Sequence, residues 1–474
     1  MGVPYNARVY IGVSLVDILV GAGLPAPKAR HIVSTLMIES VAALEEAAEN
    51  GTLKALLGGR TNMDDHVLRF IRLGKRIAPS TRIADQAGAG VPLAHAAWVG
   101  RMVLSALRAV PGVLSAAMAG QVRRQCEIVD SLDLVVSTEN PADLAGTFPL
   151  PSVAVNAVAS SDVLQINMLG MDIRVHLTTP RGFAGRLLDA TGSACHGQLL
   201  AELASKRGLL LDRGVLTDSI TGRQIRLEDE AQIYARLGLP FIPPEYRVGS
   251  SEIEEALAGI LPRPVAHEDM QGDLHLHTDW SDGLDSVEDM VAEAIRRGCS
   301  YVAVSDHTAY HVAANGLSAE QLLAQWEAID RLQRRYPSIV ILKGAEVDIL
   351  PDGTLDISDD ILQRADIVMA SVHRHSDMEP RALTRRLIRA MENPLVNVLA
   401  HPTGRSIGQS DYRVDVEELL CTAARLGVAL EINCAPNRLD LDERLARRCD
   451  DLGIALAIGS DAHSVGEMDQ FSLG

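Results

Sequence analysis

Histidines and carboxylates recur in the second half of the chain in short groups whose spacing suits metal binding. Asp273-Leu-His275-Leu-His277 is followed by Trp280-Ser-Asp282-Gly and Ser305-Asp306-His307. Then come Glu346 in Lys343-Gly-Ala-Glu-Val, His373 in Ala370-Ser-Val-His and His401 in Leu399-Ala-His-Pro. Asp461 and His463 close the series in Gly459-Ser-Asp-Ala-His. Nine ligand-type positions exceed the needs of one ion, so two or three are expected. A mixed imidazole and carboxylate set suits Zn²⁺, Mn²⁺ or Fe²⁺ better than Ca²⁺. The matching chemistry is metal-assisted hydrolysis, in which ions acidify a water and neutralise the charge that develops on oxygen. No Ser/His/Asp or Cys/His arrangement calls for a protein nucleophile. His311 and His375 fall off the pattern; a surface or phosphate-contacting role suits them as well as ligation does.

These residues are useful only if the fold gathers them. From Asp273 onward the sequence alternates strand and helix, with strands expected at 273–277, 301–306, 340–347, 367–373, 396–401, 428–433 and 455–461. Helical stretches such as 286–297 and 318–336 separate them, which implies a parallel sheet, closed into a barrel. The candidate ligands all fall at the carboxyl ends of strands, the face where barrel enzymes place their chemistry. Positions i and i+2 of a strand share a face, so His275 with His277, and Asp461 with His463, are each expected to hold one metal jointly. The chain stops soon after His463, where a last helix is expected; either the chain continues or the barrel closes differently.

The first half reads differently. Residues 11–90 suggest short helices such as 33–50 and 65–75, and 93–109 has helical periodicity. Short β-branched runs at 134–138, 152–158, 163–169 and 172–178 suggest an antiparallel sheet, and 192–206 returns to helix. Pro240-Phe-Ile-Pro-Pro-Glu-Tyr-Arg and Leu261-Pro-Arg-Pro read as a stiff linker.

At 474 residues, with 47% hydrophobic and 22% charged side chains, the chain has the composition of a soluble, multidomain globular protein. No secretory leader pattern occupies Met1 to Ala22, and no run reaches the roughly 18 apolar residues of a membrane span. The six cysteines form no CxxC pair, which suits reduced thiols, so a cytoplasmic protein is expected. Residues 1–250 carry 24 Lys and Arg against 23 Asp and Glu, whereas residues 251–474 carry 20 against 39. Such an acidic second half is a poor nonspecific nucleic-acid binder unless cations or a less acidic neighbour offset its field.

The order HxH with SDG, DH, a lone Glu, SVH, HP and SDAH over residues 273–463 resembles the PHP (polymerase and histidinol phosphatase) family. That resemblance implies three metals on a distorted (βα)7 barrel. One would take His275, His277, Glu346 and Asp461; a second would share Glu346 and add His373 and His401; a third would take Asp282, His307 and His463. Glu346, His373, His401 and Asp461 are the residues expected to act most directly in catalysis.

Ala119-Gly-Gln-Val-Arg-Arg-Gln-Cys-Glu-Ile-Val-Asp-Ser-Leu-Asp-Leu resembles the palm motif of family X DNA polymerases, with Asp172 in Gly170-Met-Asp-Ile-Arg as the later aspartate. Thr191-Gly-Ser-Ala-Cys-His and Leu239-Pro-Phe-Ile-Pro-Pro-Glu resemble the start and end of the family's thumb. The order, with a PHP domain following, is similar to bacterial family X polymerases over nearly the whole chain. The resemblance implies a multidomain α/β protein: fingers like helix-hairpin-helix repeats at 1–90, a nucleotidyltransferase-like α+β palm at 91–185, a thumb at 186–250, a linker at 251–270 and the barrel at 271–474. Gly120, Arg123, Arg124, Gly192 and Ser193 would contact a nucleotide.

The polymerase motif is eroded. Ser131 stands where the first metal-binding aspartate belongs, leaving Asp133 and Asp172, and Gln121 replaces the serine of Gly-Ser. Asp130 cannot substitute on a regular strand, because residues 130 and 133 point to opposite faces. Mg²⁺ or Mn²⁺ is expected at the palm only if polymerisation survives. In the hairpin Gly21-Ala-Gly-Leu-Pro-Ala-Pro-Lys-Ala-Arg, Pro25 replaces the second glycine; in Leu57-Gly-Gly-Arg60, Arg60 does. Those glycines let backbone amides approach a DNA phosphate. Arg60, Arg69, Arg72, Lys75 and Arg76 offer side-chain phosphate contacts instead, or simply a solvated helix face. The segment that carries deoxyribose-phosphate lyase activity in the family is not matched, so that activity is not expected.

Taken together, the residues and the resemblance they carry imply a metal-dependent phosphoesterase of a DNA repair protein, acting on single-stranded, gapped or 3′ ends of DNA as a 3′–5′ exonuclease or 3′-phosphatase. The alternatives are a small-molecule phosphatase of the histidinol-phosphate type, a still active DNA polymerase, and a non-catalytic DNA-binding protein. A monomer without membrane attachment is expected.

Overall fold

The computed structural model describes residues 14–57, 63–64, 67–68, 71, 90–147, 154–159, 162–168, 171–407 and 412–474. Two compact units emerge: Phe70–Pro264, and a second that joins Leu15–Arg69 to Val265–Gly474. The basic positions 60, 69, 72, 75 and 76, and nearly all of the helix expected at 65–75, lie outside the described residues.

The chain opens with α1 (Leu15–Gly21), α2 (Ala26–Thr35), α3 (Val41–Glu49) and α4 (Thr52–Leu56). The single helix expected over 33–50 is two. Met37 takes φ +48°, which ends α2, and the Ser40 hydroxyl accepts from the Ala43 amide at 3.1 Å to cap α3. These helices belong with the barrel and not with the adjoining palm.

In the first unit, α5 (Leu93–Arg108) packs on a five-stranded sheet. Its strands are β1 (Val113–Met118), β2 (Ser131–Thr138), β3 (Ala154–Ala159), β4 (Val163–Met168) and β5 (Met171–Thr178), in the order β1-β2-β5-β4-β3. The sheet is mixed where an antiparallel one was expected, because β2 and β5 run parallel, with Ser131 opposite Asp172 and Asp133 opposite Arg174. Along β5, Met171, Ile173, Val175 and Leu177 are buried. The two-residue period therefore puts Asp172, Arg174 and His176 together on the polar face.

The thumb follows as α6 (Phe183–Thr191), α7 (Ala194–Lys206) and a hairpin of β6 (Leu209–Asp212) and β7 (Val215–Asp218). Its core includes Ile233, Tyr234, Leu237, Ile242 and Ile253. The proline-rich stretch expected to be linker is thus structural. Ile242 is fully buried, and the buried Arg247 guanidinium pairs with Glu230 at 2.5 Å and donates to the Ile242 carbonyl at 2.9 Å. The span expected as linker from 251 also begins with a helix, Glu252–Ala258, whose Ile253 and Ala256 enter the same core.

The barrel has seven parallel strands in sequence order: β8 (Gly272–Asp273), β9 (Tyr301–Val304), β10 (Val340–Asp348), β11 (Ile367–Ser371), β12 (Val398–Leu399), β13 (Ala429–Asn433) and β14 (Leu456–Gly459). Several are shorter than expected, since the chain leaves the ladder to form the site. Closure comes from a parallel bridge between Leu276 and Ala462, where the His277 amide donates to the Ala462 carbonyl at 2.8 Å. Ala303, Ile367, Met369, Val398, Ala400 and Ala457 fill the inside, while a larger apolar layer lies between strands and helices. Helix starts are well capped, as by Ser286 with Asp289 and Ser318 with Gln321. The interior is therefore apolar at the floor and polar only at the carboxyl rim.

Candidate metal centre

The rim brings together all nine residues singled out from the sequence. Glu346, near the end of β10, points inward and is buried. Five imidazoles approach its carboxylate: His307 Nδ1 at 2.8 Å, His401 Nε2 at 2.9 Å, His373 Nε2 at 3.2 Å, His275 Nε2 at 3.4 Å and His277 Nε2 at 3.6 Å. His277 Nε2 also lies 3.1 Å from both His275 Nε2 and Asp461 Oδ1. On the other side of His277, Asp282 Oδ1 sits 3.4 Å from His463 Nε2 and 3.7 Å from His307 Nε2.

Four sets of ligand atoms fall within 4.8 Å of one another among the described residues. They are His275, His277 and Glu346; Glu346, His373 and His401; His277, Asp282, His307 and His463; and His307, His311 and His373. The same-face expectation for Asp461 and His463 does not hold. β14 ends at Gly459 and Asp461 has φ +55°, so Asp461 turns toward His275 and His277 while His463 turns toward Asp282. His401 has φ +30°. Two non-glycine residues held in a left-handed conformation mark a site whose surroundings override backbone preference.

Do these groups fit divalent cations? Glu346 Oε2 and His307 Nδ1 face each other at 2.8 Å without hydrogen-bond geometry, and the Nδ1 atoms of His277 and His401 are buried without a partner. Polar atoms buried without partners are costly, and ligand atoms gathered within 4.8 Å of one another are what a cation satisfies. The donor set fits.

The electrostatics of the bare groups agree. Burial alone would disfavour charge, yet Glu346 is held well below the usual carboxylate range by His373, His307 and His275. Burial likewise opposes protonation of His373, but Glu346 and Asp348 raise it to about 10. His277 goes the other way, to about 3, through burial and the neighbouring His307 and His463.

A supporting layer escaped the sequence reading. Glu431, buried on β13, meets His275 Nδ1 with Oε1 at 2.6 Å, and its Oε2 accepts from the His401 amide at 2.8 Å and Asn433 Nδ2 at 3.2 Å. Asp348 lies 3.3 Å from His373 Nδ1. Asp273 accepts from the His275 and Ser460 amides, each at 3.1 Å, and Asp306 accepts from the Thr278 amide at 2.7 Å. Such partners fix which ring nitrogen faces the centre. The available signal was an acid inside an apolar strand, as in Leu430-Glu-Ile-Asn, because such residues are seldom buried without a partner. His311 also enters the cluster, its ring 4.2 Å from that of His373, whereas His375 is exposed. Arg438, likewise missed, places Nε 3.7 Å from Asp461 Oδ2.

The chain also matches known proteins. The DNA polymerase beta thumb model matches residues 186–248 and the PHP domain model residues 273–435. A Bacillus subtilis protein named DNA polymerase/3'-5' exonuclease PolX is 32% identical over 466 residues, covering 97% of this chain and 80% of its own. The chain belongs to the bacterial family X DNA polymerases that carry a PHP domain. A Syntrophotalea carbinolica protein named "probable phosphatase" is 31% identical over 201 residues, 40% of this chain and 79% of its own. A solved Listeria monocytogenes structure, provisionally titled a histidinol phosphatase, covers 42% of this chain and 97% of its own at 19% identity, with a TM-score of 0.36.

The palm of this family X member is chemically altered. Arg174 donates to Ser131 Oγ at 2.5 Å and to Asp133 Oδ2 at 2.9 Å, and His176 Nε2 lies 2.8 Å from Asp133 Oδ1. A guanidinium and an imidazole thus occupy the carboxylate that a metal would need. Asp130 is drawn away by Gln121, which bonds it through both amide atoms. Asp172 accepts from Asn167 at 2.8 Å. Gly120 has φ +58°, and a Cβ there would sit 2.6 Å from Asp133 Oδ2, so glycine is required.

The residues expected to contact a nucleotide are largely committed elsewhere. Arg123 pairs with Glu230 at 2.5 Å, Arg124 donates to the Thr191 carbonyl at 2.5 Å, Gly192 ends α6, and Ser193 donates to the Val248 carbonyl at 2.8 Å. They tie palm to thumb.

Proposed function

We propose that the PHP barrel holds two or three divalent cations and hydrolyses phosphodiester or phosphomonoester bonds at DNA 3′ ends, as a 3′–5′ exonuclease or 3′-phosphatase. The observation that carries this reading is the convergence of five imidazoles on the buried Glu346 carboxylate. His275, His277, Glu346 and Asp461 would hold one ion, Glu346, His373 and His401 a second, and Asp282, His307 and His463 a third. Mn²⁺ or Zn²⁺ suits these donors. When bound, the ions supply Lewis acidity toward a phosphoryl group and its attacking water.

The chain's own residues position these donors. Glu431 holds the His275 ring and the His401 amide, and Asp348 steadies His373. Arg438, beside Asp461, offers a guanidinium that suits a phosphate oxygen. The regions before the barrel serve as a DNA platform: fingers-like residues 1–90, whose helices group with the barrel, then palm 91–185 and thumb 186–250. Its palm does not polymerise, because Arg174 and His176 occupy Asp133. The relative's name, with 3'-5' exonuclease activity, supports the DNA substrate, and the protein is proposed to work in the cytoplasm as a monomer.

The test is purified protein with Mn²⁺ on 3′-labelled single-stranded and gapped DNA, beside a Glu346→Ala variant. Release of label by the wild type and not by the variant is expected. Intact DNA alongside turnover of a small phosphate ester would overturn the reading.

A further inference from the structure

The hairpin between α1 and α2 resembles a DNA-gripping turn apart from Pro25, yet it packs on the barrel. Gly23 takes φ +105°, and a Cβ there would lie 2.3 Å from Glu467 Oε1. Its carbonyl accepts from Ser464 Oγ at 2.8 Å. Glu467 in turn accepts from the His463 amide at 2.8 Å. The hairpin's glycine thus abuts the turn that carries His463.

Lys28, in the first turn of α2, reaches the second loop of the same cluster. Its ammonium donates to the Leu284 carbonyl and to Asp285 Oδ1, both at 2.6 Å. A cation in the first turn opposes the helix dipole, so its placement there is set by tertiary contacts. Asp285 is buried; its Oδ2 accepts from the Val465 amide at 2.9 Å, and the Leu284 amide donates to the His463 carbonyl at 2.7 Å. Lys28 therefore braces, from more than 250 residues away in sequence, the Asp282 loop at the two residues that tie that loop to the His463 turn.

We propose that Gly23 and Lys28 form a positioning clamp for the Asp282–His307–His463 cluster, and that this hairpin holds a metal position in place of a DNA phosphate. The inference rests on the metal-centre reading above. Lys28 and Gly23 touch no reacting atom; they act through the two loops that carry ligands. Partners one layer removed from a metal commonly tune its affinity tenfold to a hundredfold.

The experiment uses the full chain and Mn²⁺ alone, titrated by the electron paramagnetic resonance of free Mn²⁺, on wild type, Lys28→Ala and Lys28→Arg. One class of sites is expected to weaken about tenfold or more in Lys28→Ala, with the remaining classes unchanged and Lys28→Arg restoring the loss. Unchanged Mn²⁺ binding in Lys28→Ala, beside a wild type that loads normally, would overturn the clamp and leave the proposed function standing. Equal weakening of all classes with a lower Tm would also overturn it, as would weaker single-stranded DNA binding with Mn²⁺ binding intact. A wild type that binds no Mn²⁺ would end both readings.

Discussion

Replacing Glu431 by glutamine tests whether the supporting layer fixes the ring that ligates. Oε1 faces His275 Nδ1 at 2.6 Å, while Oε2 faces two donors, the His401 amide at 2.8 Å and Asn433 Nδ2 at 3.2 Å. A carboxylate accepts from all three; a side-chain amide cannot. With its nitrogen on the Oε2 side, the variant sets donor against donor at His401 and Asn433. With its nitrogen on the Oε1 side, His275 must accept at Nδ1 and carry its proton on Nε2, which faces Glu346 and Asp461. Either arrangement costs about 1–3 kcal/mol, the penalty of a buried unmatched polar group. At about 1.4 kcal/mol per factor of ten, that weakens Mn²⁺ affinity roughly 5- to 150-fold. Calorimetric Mn²⁺ titration checks it, with hydrolysis measured across Mn²⁺ concentrations; activity should recover largely at saturating metal. Affinity and rate equal to wild type would refute the argument.

Arg438→Ala should raise KM for DNA about tenfold with a smaller effect on kcat, as steady-state kinetics on a labelled 3′ end would show. Ser131→Asp alone should not restore primer extension, because Arg174 and His176 still occupy Asp133; extension by the single variant would contradict this. Glu230→Ala leaves Arg123 and the buried Arg247 without their shared partner, so thermal or urea unfolding should show a loss of about 3–5 kcal/mol. Burial opposes ionisation of Glu230, but Arg123 and Arg247 hold its folded pKa below the usual glutamate value. Its stabilisation is therefore complete above that usual value and lost as pH falls toward the folded one, so the variant's deficit should shrink in acid. Chelation with EDTA should lower the Tm of the wild type and abolish hydrolysis, since uncompensated charge then stays buried at Glu346.

The convergence of the candidate ligands was legible because a parallel barrel gathers its strand ends, so ligand types at those ends needed only the alternation of strand and helix to be placed. Which neighbour each ligand faces was not. Asp461 and His463 diverge because Asp461 takes a left-handed backbone, a choice set by packing that no period reveals. Glu431 and Asp348 were hidden within apolar strands, where local pattern reads them as interruptions. In the first half, runs of strand were readable but not their pairing: β2 and β5 lie side by side in parallel although two strands separate them in sequence. The proline-rich stretch before Arg247 misled in the opposite way, since composition cannot distinguish a stiff tether from a stretch pinned by a buried guanidinium.

Barrel closure through Leu276 and Ala462 has a consequence for biosynthesis. His275 and His277 stand on one side of that seam and Asp461 and His463 on the other. During synthesis the side of the seam with His275 and His277 emerges first, so the proposed His275–His277–Glu346–Asp461 and Asp282–His307–His463 sets stay incomplete until residues 461–463 follow, whereas Glu346, His373 and His401 are already in the chain. Closing the seam is thus the step that completes two of the three proposed cation positions.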